Sequence, residues 1–150
     1  ALRTYFIEYY NEHMADDTAP YNGIPELLEA LTAKGIKIAV ASNKYQSATT
    51  KLIAHYFPTI RFTAVFGQRE GVNVKPDPTI VHDILDIAKV SKEEVLYVGD
   101  SGVDMQTAAN AGVTACGVTW GFRPRAELET FHPDYIVDKA EEIIESVLKY

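Results

Sequence analysis

The chain has 150 residues, 47% of them apolar and 23% charged, with a formal net charge of −7 and a pI near 5.0. That length supports one domain with a real core but not two, and the acidic balance excludes the basic footprint that a nucleic-acid or membrane-surface partner requires. Cys116 is the only cysteine, which rules out an internal disulfide or a cysteine metal cage and fits a reducing cytoplasm, and no apolar run approaches the ~18 residues of a membrane span.

In chain order, residues 1–17 (ALRTYFIEYYNEHMADD) read as a helix already under way. The stretch GIPELLEALTAKG (23–35) places Pro25 near a helix start, Leu27, Leu28 and Leu31 on one face, and Gly35 where a helix would stop. IKIAVA (36–41) is rich in β-branched residues and reads as a short buried strand. FTAVF (62–66), EVLYVG (94–99) and the weaker TACGV (114–118) read the same way. PDPTIVHDILDIAKV offers Asp77 as an N-cap and Pro78 at the first helical position, with Ile80, Val81, Ile84, Leu85 and Ala88 at helical spacing. A further helix near 104–111, built on Ala108, Ala109 and Ala111 and closed by Gly112, is small enough to lie tightly on a sheet. DKAEEIIESVLKY closes the chain as an amphipathic helix with no functional signal. Strands alternating with helices predict an α/β fold: a Rossmann-like three-layer core with a mostly parallel sheet and helices on both faces, joined by right-handed crossovers.

In such a sheet, ligands bind outside the carboxyl ends of the strands. IKIAVA runs directly into Ser42, Asn43 and Lys44, the strand near 62–66 is followed after a loop by Lys75, and EVLYVG runs into Asp100, Ser101, Gly102 and Asp104. A hydroxyl, an ammonium and two carboxylates therefore converge on one edge. Each has a plainer reading: Ser42 as a turn former, Lys75 as a solvated loop lysine, Asp104 as a helix cap. The aspartates together shift the balance. Two carboxylates about 4 Å apart at an effective dielectric near 20 repel by roughly 4 kcal/mol, so one must be protonated or a cation must sit beside them. A hard divalent ion such as Mg²⁺ takes oxygen ligands, keeps waters and needs only one or two carboxylates; its usual companion is a phosphate.

VASNK (40–44), KPDP (75–78) and VGDSGVDMQTAANAG (98–112) resemble, in order and separation, the second, third and fourth motifs of the haloacid dehalogenase-like phosphatases. YNGIPELLEALTAKG and GVTWG resemble stretches of the phosphoglycolate phosphatase-like branch. The resemblance implies a Mg²⁺-dependent phosphomonoester hydrolase acting on a small phosphorylated metabolite. It casts Ser42 as a hydrogen-bond donor to the transferring phosphoryl group, Asn43 as its neighbour in the substrate pocket, and Lys75 as the group that neutralises phosphoryl and nucleophile charge. Asp100 becomes the Mg²⁺ ligand, with Asp104 supporting the metal or its waters.

One departure accompanies these matches. The family's first motif, a strand followed by Asp-x-Asp-Gly-Thr, supplies the attacking aspartate and the acid–base aspartate, and no segment of this sequence has that pattern. The resemblance places that motif upstream of Ala1. It makes residues 1–18 the remnant of a helical cap and 19–150 a partial core, without its first strand and without its own nucleophile. Because the missing strand would lie between the strands at 94–99 and 36–41, their edges are expected either to stay unpaired, inviting self-association, or to close on each other. Two alternatives stay open: a phosphotransferase or mutase of the same superfamily, and a non-catalytic Rossmann-type binding module. Against the latter, the sequence has neither G-x-G-x-x-G after a strand nor a G-x-x-x-x-G-K-[ST] loop. Trp120, Arg123 and Arg125 are read as packing or solvated loop residues beside the edge, and His13, His55, His82 and His132 lack metal-ligand spacing.

Overall fold

The computed structural model describes residues 4–7, 24–119 and 124–143. Strands β1 (Thr4–Ile7), β2 (Lys37–Tyr45), β3 (Ala64–Gln68), β4 (Val95–Gly99), β5 (Thr114–Val118) and β6 (Tyr135–Val137) form one six-stranded sheet in the order β3-β2-β1-β4-β5-β6, every neighbouring pair parallel. The intervening helices are α1 (Ile24–Ala33), α2 (Gln46–Tyr56), α3 (Thr79–Ala88), α4 (Gly102–Ala111), α5 (Arg125–Glu129) and α6 (Ala140–Glu142). This is the doubly wound α/β order, and the direction of winding reverses between β1 and β4.

Alternation along β2 explains the three layers. Ile38 and Val40 point into one apolar cluster with Leu27, Leu28 and Leu31 of α1, while Ala39 and Ala41 point into the other with Ile80, Val81 and Ile84 of α3. A strand buried on both faces reads as a continuous apolar run, which is the form IKIAVA takes. Gly35, at φ +74, turns the chain out of α1 so that the Ile36 N–H reaches the Leu31 carbonyl at 3.0 Å. Helix α3 begins one residue later than its sequence suggests: Pro78 precedes it, and Asp77 Oδ1 accepts the Thr79 N–H at 2.9 Å.

The largest correction concerns the amino-terminal stretch. Where a helix is expected, Thr4–Ile7 is a strand, and it occupies the central position expected to lack one. Its residues stand opposite Lys37–Val40 on one side and Val95–Val98 on the other, so β2 and β4 neither stay unpaired nor close on each other. The physical reason is the demand of two inner strands whose N–H and C=O groups require partners. Thr, Tyr, Phe and Ile are residue types that suit a pleated ladder once such a slot is available. Strand β2 also runs to Tyr45, past the predicted end at 41, with a register irregularity after Ala41. Among the described residues, no helix is long and apolar enough to cross a membrane.

Candidate functional site

At the carboxyl edge the irregular end of β2 sets the first groups. Ser42 is buried, and its Oγ accepts the Lys44 N–H at 3.1 Å. Asn43 turns its amide onto the loop that follows β3: the Lys75 N–H donates to Asn43 Oδ1 at 2.9 Å, and Asn43 Nδ2 donates to the Lys75 carbonyl at 3.2 Å. Lys75 is not a solvated loop lysine but only 5% exposed. Its Nζ donates to the Ala41 carbonyl at 3.3 Å and pairs with Asp104 Oδ1 at 2.7 Å.

Asp104 is where the elements meet. It is the third residue of α4, and Ser101 caps that helix: the Asp104 N–H donates to Ser101 Oγ at 3.3 Å, while Asp104 Oδ2 accepts the Ser101 N–H at 3.2 Å and the Ser101 hydroxyl at 3.0 Å. Oδ2 also accepts the Asp100 N–H at 3.1 Å, and Oδ1 receives the Tyr97 hydroxyl at 3.5 Å beside Lys75. Five donors thus face two carboxylate oxygens, more than the roughly four lone-pair sites that two such oxygens offer. The helix-cap reading and the charged-site reading of Asp104 both apply to this one side chain. Gly99 makes the arrangement sterically possible, since a Cβ there would lie 2.2 Å from Asp104 Cβ.

The repulsion anticipated between the two aspartates is met unequally. Asp104 has a buried ammonium and backbone N–H groups around it. Asp100 is half-buried, and burial first, then the Asp104 carboxylate, push its carboxyl up to about 7, with Lys75 pulling the other way. A proton or a cation is what this position favours. Asp100 therefore fits a metal as a single carboxylate anchor, with Asp104 one step back because its oxygens are engaged. Among the described residues, no group of three or more His, Cys, Asp or Glu side chains could hold an ion without outside ligands.

Several contributors carry little signal in the sequence. Tyr97 reaches Asp104 from inside β4, and only strand alternation hints at which face it takes. Glu127 of α5 accepts the Gly102 N–H at 2.8 Å and so ties the start of α4 to a distant helix. The Ser101-x-x-Asp104 capping pattern is the readable one. Arg125 is exposed and pairs with Glu129 and Asp138 at 3.3 Å each, and His55 stands edge-on to Tyr56 with ring centroids 4.7 Å apart. Trp120, Arg123 and His13 lie outside the described residues.

Known proteins resemble this chain in sequence and in fold. A family profile described as haloacid dehalogenase-like hydrolase matches residues 1–118. A phosphoglycolate phosphatase of Aquifex aeolicus is 30% identical over 95% of this chain and 68% of its own length. Pyrophosphatase PpaX of Listeria monocytogenes is 27% identical over 95% of this chain and 66% of its own. Among solved structures, a phosphoglycolate phosphatase candidate from Lactobacillus delbrueckii subsp. bulgaricus superposes with a TM-score of 0.83 and 35% identity, covering 88% of this chain and 55% of that one. This chain thus spans about two thirds of those curated relatives and about half of the solved one. With a profile match over most of its length and the fold order to go with it, the chain belongs to the haloacid dehalogenase-like hydrolase family.

Proposed function

We propose that this chain provides the phosphoryl-holding part of a Mg²⁺-dependent phosphomonoester hydrolase of the phosphoglycolate phosphatase-like branch. The observation that carries the reading is the buried Lys75–Asp104 pair at 2.7 Å, with Ser42 and Asp100 on the same sheet edge beside the point where the winding reverses. An ammonium fixed before the substrate arrives needs no reorganisation when negative charge develops on phosphoryl oxygens, which is how such donors lower a barrier. Ser42 keeps a hydroxyl proton to donate while its oxygen accepts from Lys44. Asp100 would hold the Mg²⁺, whose contribution is neutralisation of phosphoryl charge. Asp104 orients Lys75 and the 100–104 turn. These 150 residues contain no Asp-x-Asp-Gly-Thr pattern, so in this reading the attacking carboxylate comes from outside them. The strand that bears it and Thr4–Ile7 would compete for one slot between β2 and β4.

The substrate is a small phosphorylated metabolite. The names of the relatives suggest two forms to compare, a phosphorylated hydroxy acid and inorganic pyrophosphate. The lone buried thiol suits a reducing compartment such as the cytoplasm.

The test is hydrolysis of an aryl phosphate, phosphoglycolate and pyrophosphate with and without Mg²⁺. The chain alone should show essentially no turnover. A version extended by its upstream coding sequence should show Mg²⁺-dependent turnover that Asp100→Asn abolishes. Robust turnover by the 150 residues alone would refute the placement of the nucleophile, and no turnover by the extended protein would refute the phosphatase reading.

A further inference from the structure

We infer that Asn43 is a positioning residue for Lys75, acting through the lysine's main chain and not on the substrate. Its side-chain amide is used as a two-point clamp: Oδ1 takes the Lys75 N–H at 2.9 Å and Nδ2 reaches the Lys75 carbonyl at 3.2 Å, across 32 positions of sequence. A pair of antiparallel hydrogen bonds between one amide and one residue's backbone fixes both the place and the rotation of that residue. It does for the loop what a ladder does for a strand.

The consequence reaches the ammonium. With its backbone held at the end of β2, the Lys75 side chain meets the Ala41 carbonyl at 3.3 Å and Asp104 at 2.7 Å, both of them buried positions. The loop has a second tether, Asn110 Nδ2 to the Pro76 carbonyl at 2.9 Å, but that bond is exposed and holds the next residue. The Asn43 amide, by contrast, meets both backbone groups of the lysine itself. Strand β2 therefore delivers three things to one place: the Ser42 hydroxyl, the Ala41 carbonyl that receives the ammonium, and the Asn43 clamp. A slip at Asn43 would leave the lysine's charge buried but misdirected.

What Lys75 does to a phosphoryl group rests on the function proposed above. Its placement by Asn43 does not, and the experiment reads placement alone. The Lys75 ammonium of the ¹⁵N-labelled chain is identified by the loss of its signal in Lys75→Arg, and its hydrogen exchange is followed in the parent and in Asn43→Ala. Backbone amide exchange over residues 38–41 is recorded in the same samples as a report on global opening. The expected result is ammonium exchange faster by a factor of about five or more, the equivalent of one net hydrogen bond lost from the site, with the amides of residues 38–41 unchanged. Unchanged ammonium exchange, or acceleration only in step with those amides, would overturn the inference. Should Asn43→Ala fail to fold, Asn43→Ser removes the same paired geometry with a smaller loss of volume and is judged by the same two rates. No phosphate ligand and no turnover enter the measurement, so failure of the phosphatase reading would leave it intact.

Discussion

Asp100→Asn should stabilise this chain at neutral and alkaline pH. The Asp100 carboxyl is pushed up to about 7 by burial and by the neighbouring Asp104, whereas an unfolded aspartate titrates near ~3.9. Between those two values the folded chain holds a proton that the unfolded chain has released, so stability falls as pH rises. The contribution is fully present below about 4 and is lost as pH passes through about 7. The gap between the folded and unfolded titrations corresponds to roughly 4 kcal/mol. Because the group is only half-buried and solvent screens part of its charge, about 2 kcal/mol is the working figure. Asparagine keeps the shape without the charge. The assay is urea unfolding of both proteins from pH 5 to 8 in a metal chelator. At pH 8 the variant should lead by about 2 kcal/mol, or ~4 to 8 °C in Tm for a chain of this size, and the lead should shrink toward pH 5. A variant no more stable than the parent at pH 8, or a lead independent of pH, would refute the reasoning.

Lys75→Met should destabilise the chain by about 3 to 5 kcal/mol, because it leaves the Asp104 carboxylate buried without its cation; denaturant midpoints measure it, and a loss under about 1 kcal/mol would mean that the pair is far better solvated than its burial indicates. Gly99→Ala should cost about 3 kcal/mol through overpacking, since the new Cβ would meet Asp104 Cβ at 2.2 Å and Cγ at 2.5 Å, and it should shift the Lys75 ammonium resonance as the carboxylate moves. Cys116 should resist alkylation in the folded chain: burial pushes its thiol up to about 12, which at equal pH leaves roughly a thousandfold less thiolate than a free cysteine has, so labelling with iodoacetamide should track unfolding. Mg²⁺ should bind this chain only weakly by calorimetry, because one carboxylate and waters make a poor octahedral cage; submicromolar affinity would contradict the assignment of Asp100 as a lone anchor.

The elements legible in the sequence are those in which periodicity and punctuation agree. Helix α1 has its leucines on one face and Gly35 behind it, and β2, β4 and β5 are apolar runs that end in small or polar residues. Helix α2 escapes notice because QSATTKLIAHY is mostly polar and buries only Thr49 and Ile53. Strand β6 is three residues long and sits at the sheet edge, where little burial imprints a pattern. Strand β1 inverts its local reading for a tertiary reason: ALRTYFI has helical spacing, but the slot between β2 and β4 decides the outcome. The candidate site shows the same division. Residue types at the strand ends name Ser42, Lys75, Asp100 and Asp104 as neighbours. Sequence cannot say that Lys75 would be buried against Asp104, or that Asn43 would face the lysine's backbone, because both depend on how a loop after β3 returns to β2.

Charge counting explains why the unequal treatment of the two aspartates matters. Lys75 and Asp104 together are neutral, so the ammonium is already compensated before any ligand arrives. Adding an ionised Asp100 makes this edge net negative, and a phosphoryl dianion brought there would meet repulsion of several kcal/mol at the effective dielectric of a protein edge. A proton on Asp100 brings the edge only to neutrality, whereas a divalent cation beside it would reverse the sign. A proton is one solution, and with the carboxyl pushed up to about 7 it is held by about half of the molecules at neutral pH. It cannot also serve a dianion well, because it cancels a single charge and leaves the dianion facing a lysine that Asp104 already compensates. In the function proposed above, a divalent ion held by Asp100 would take the place of that proton and supply two positive charges, so that a destabilising carboxylate would become an anchor. The strain that Asp100 places on the folded chain and the affinity it would offer to a metal are therefore one electrostatic fact seen from two sides.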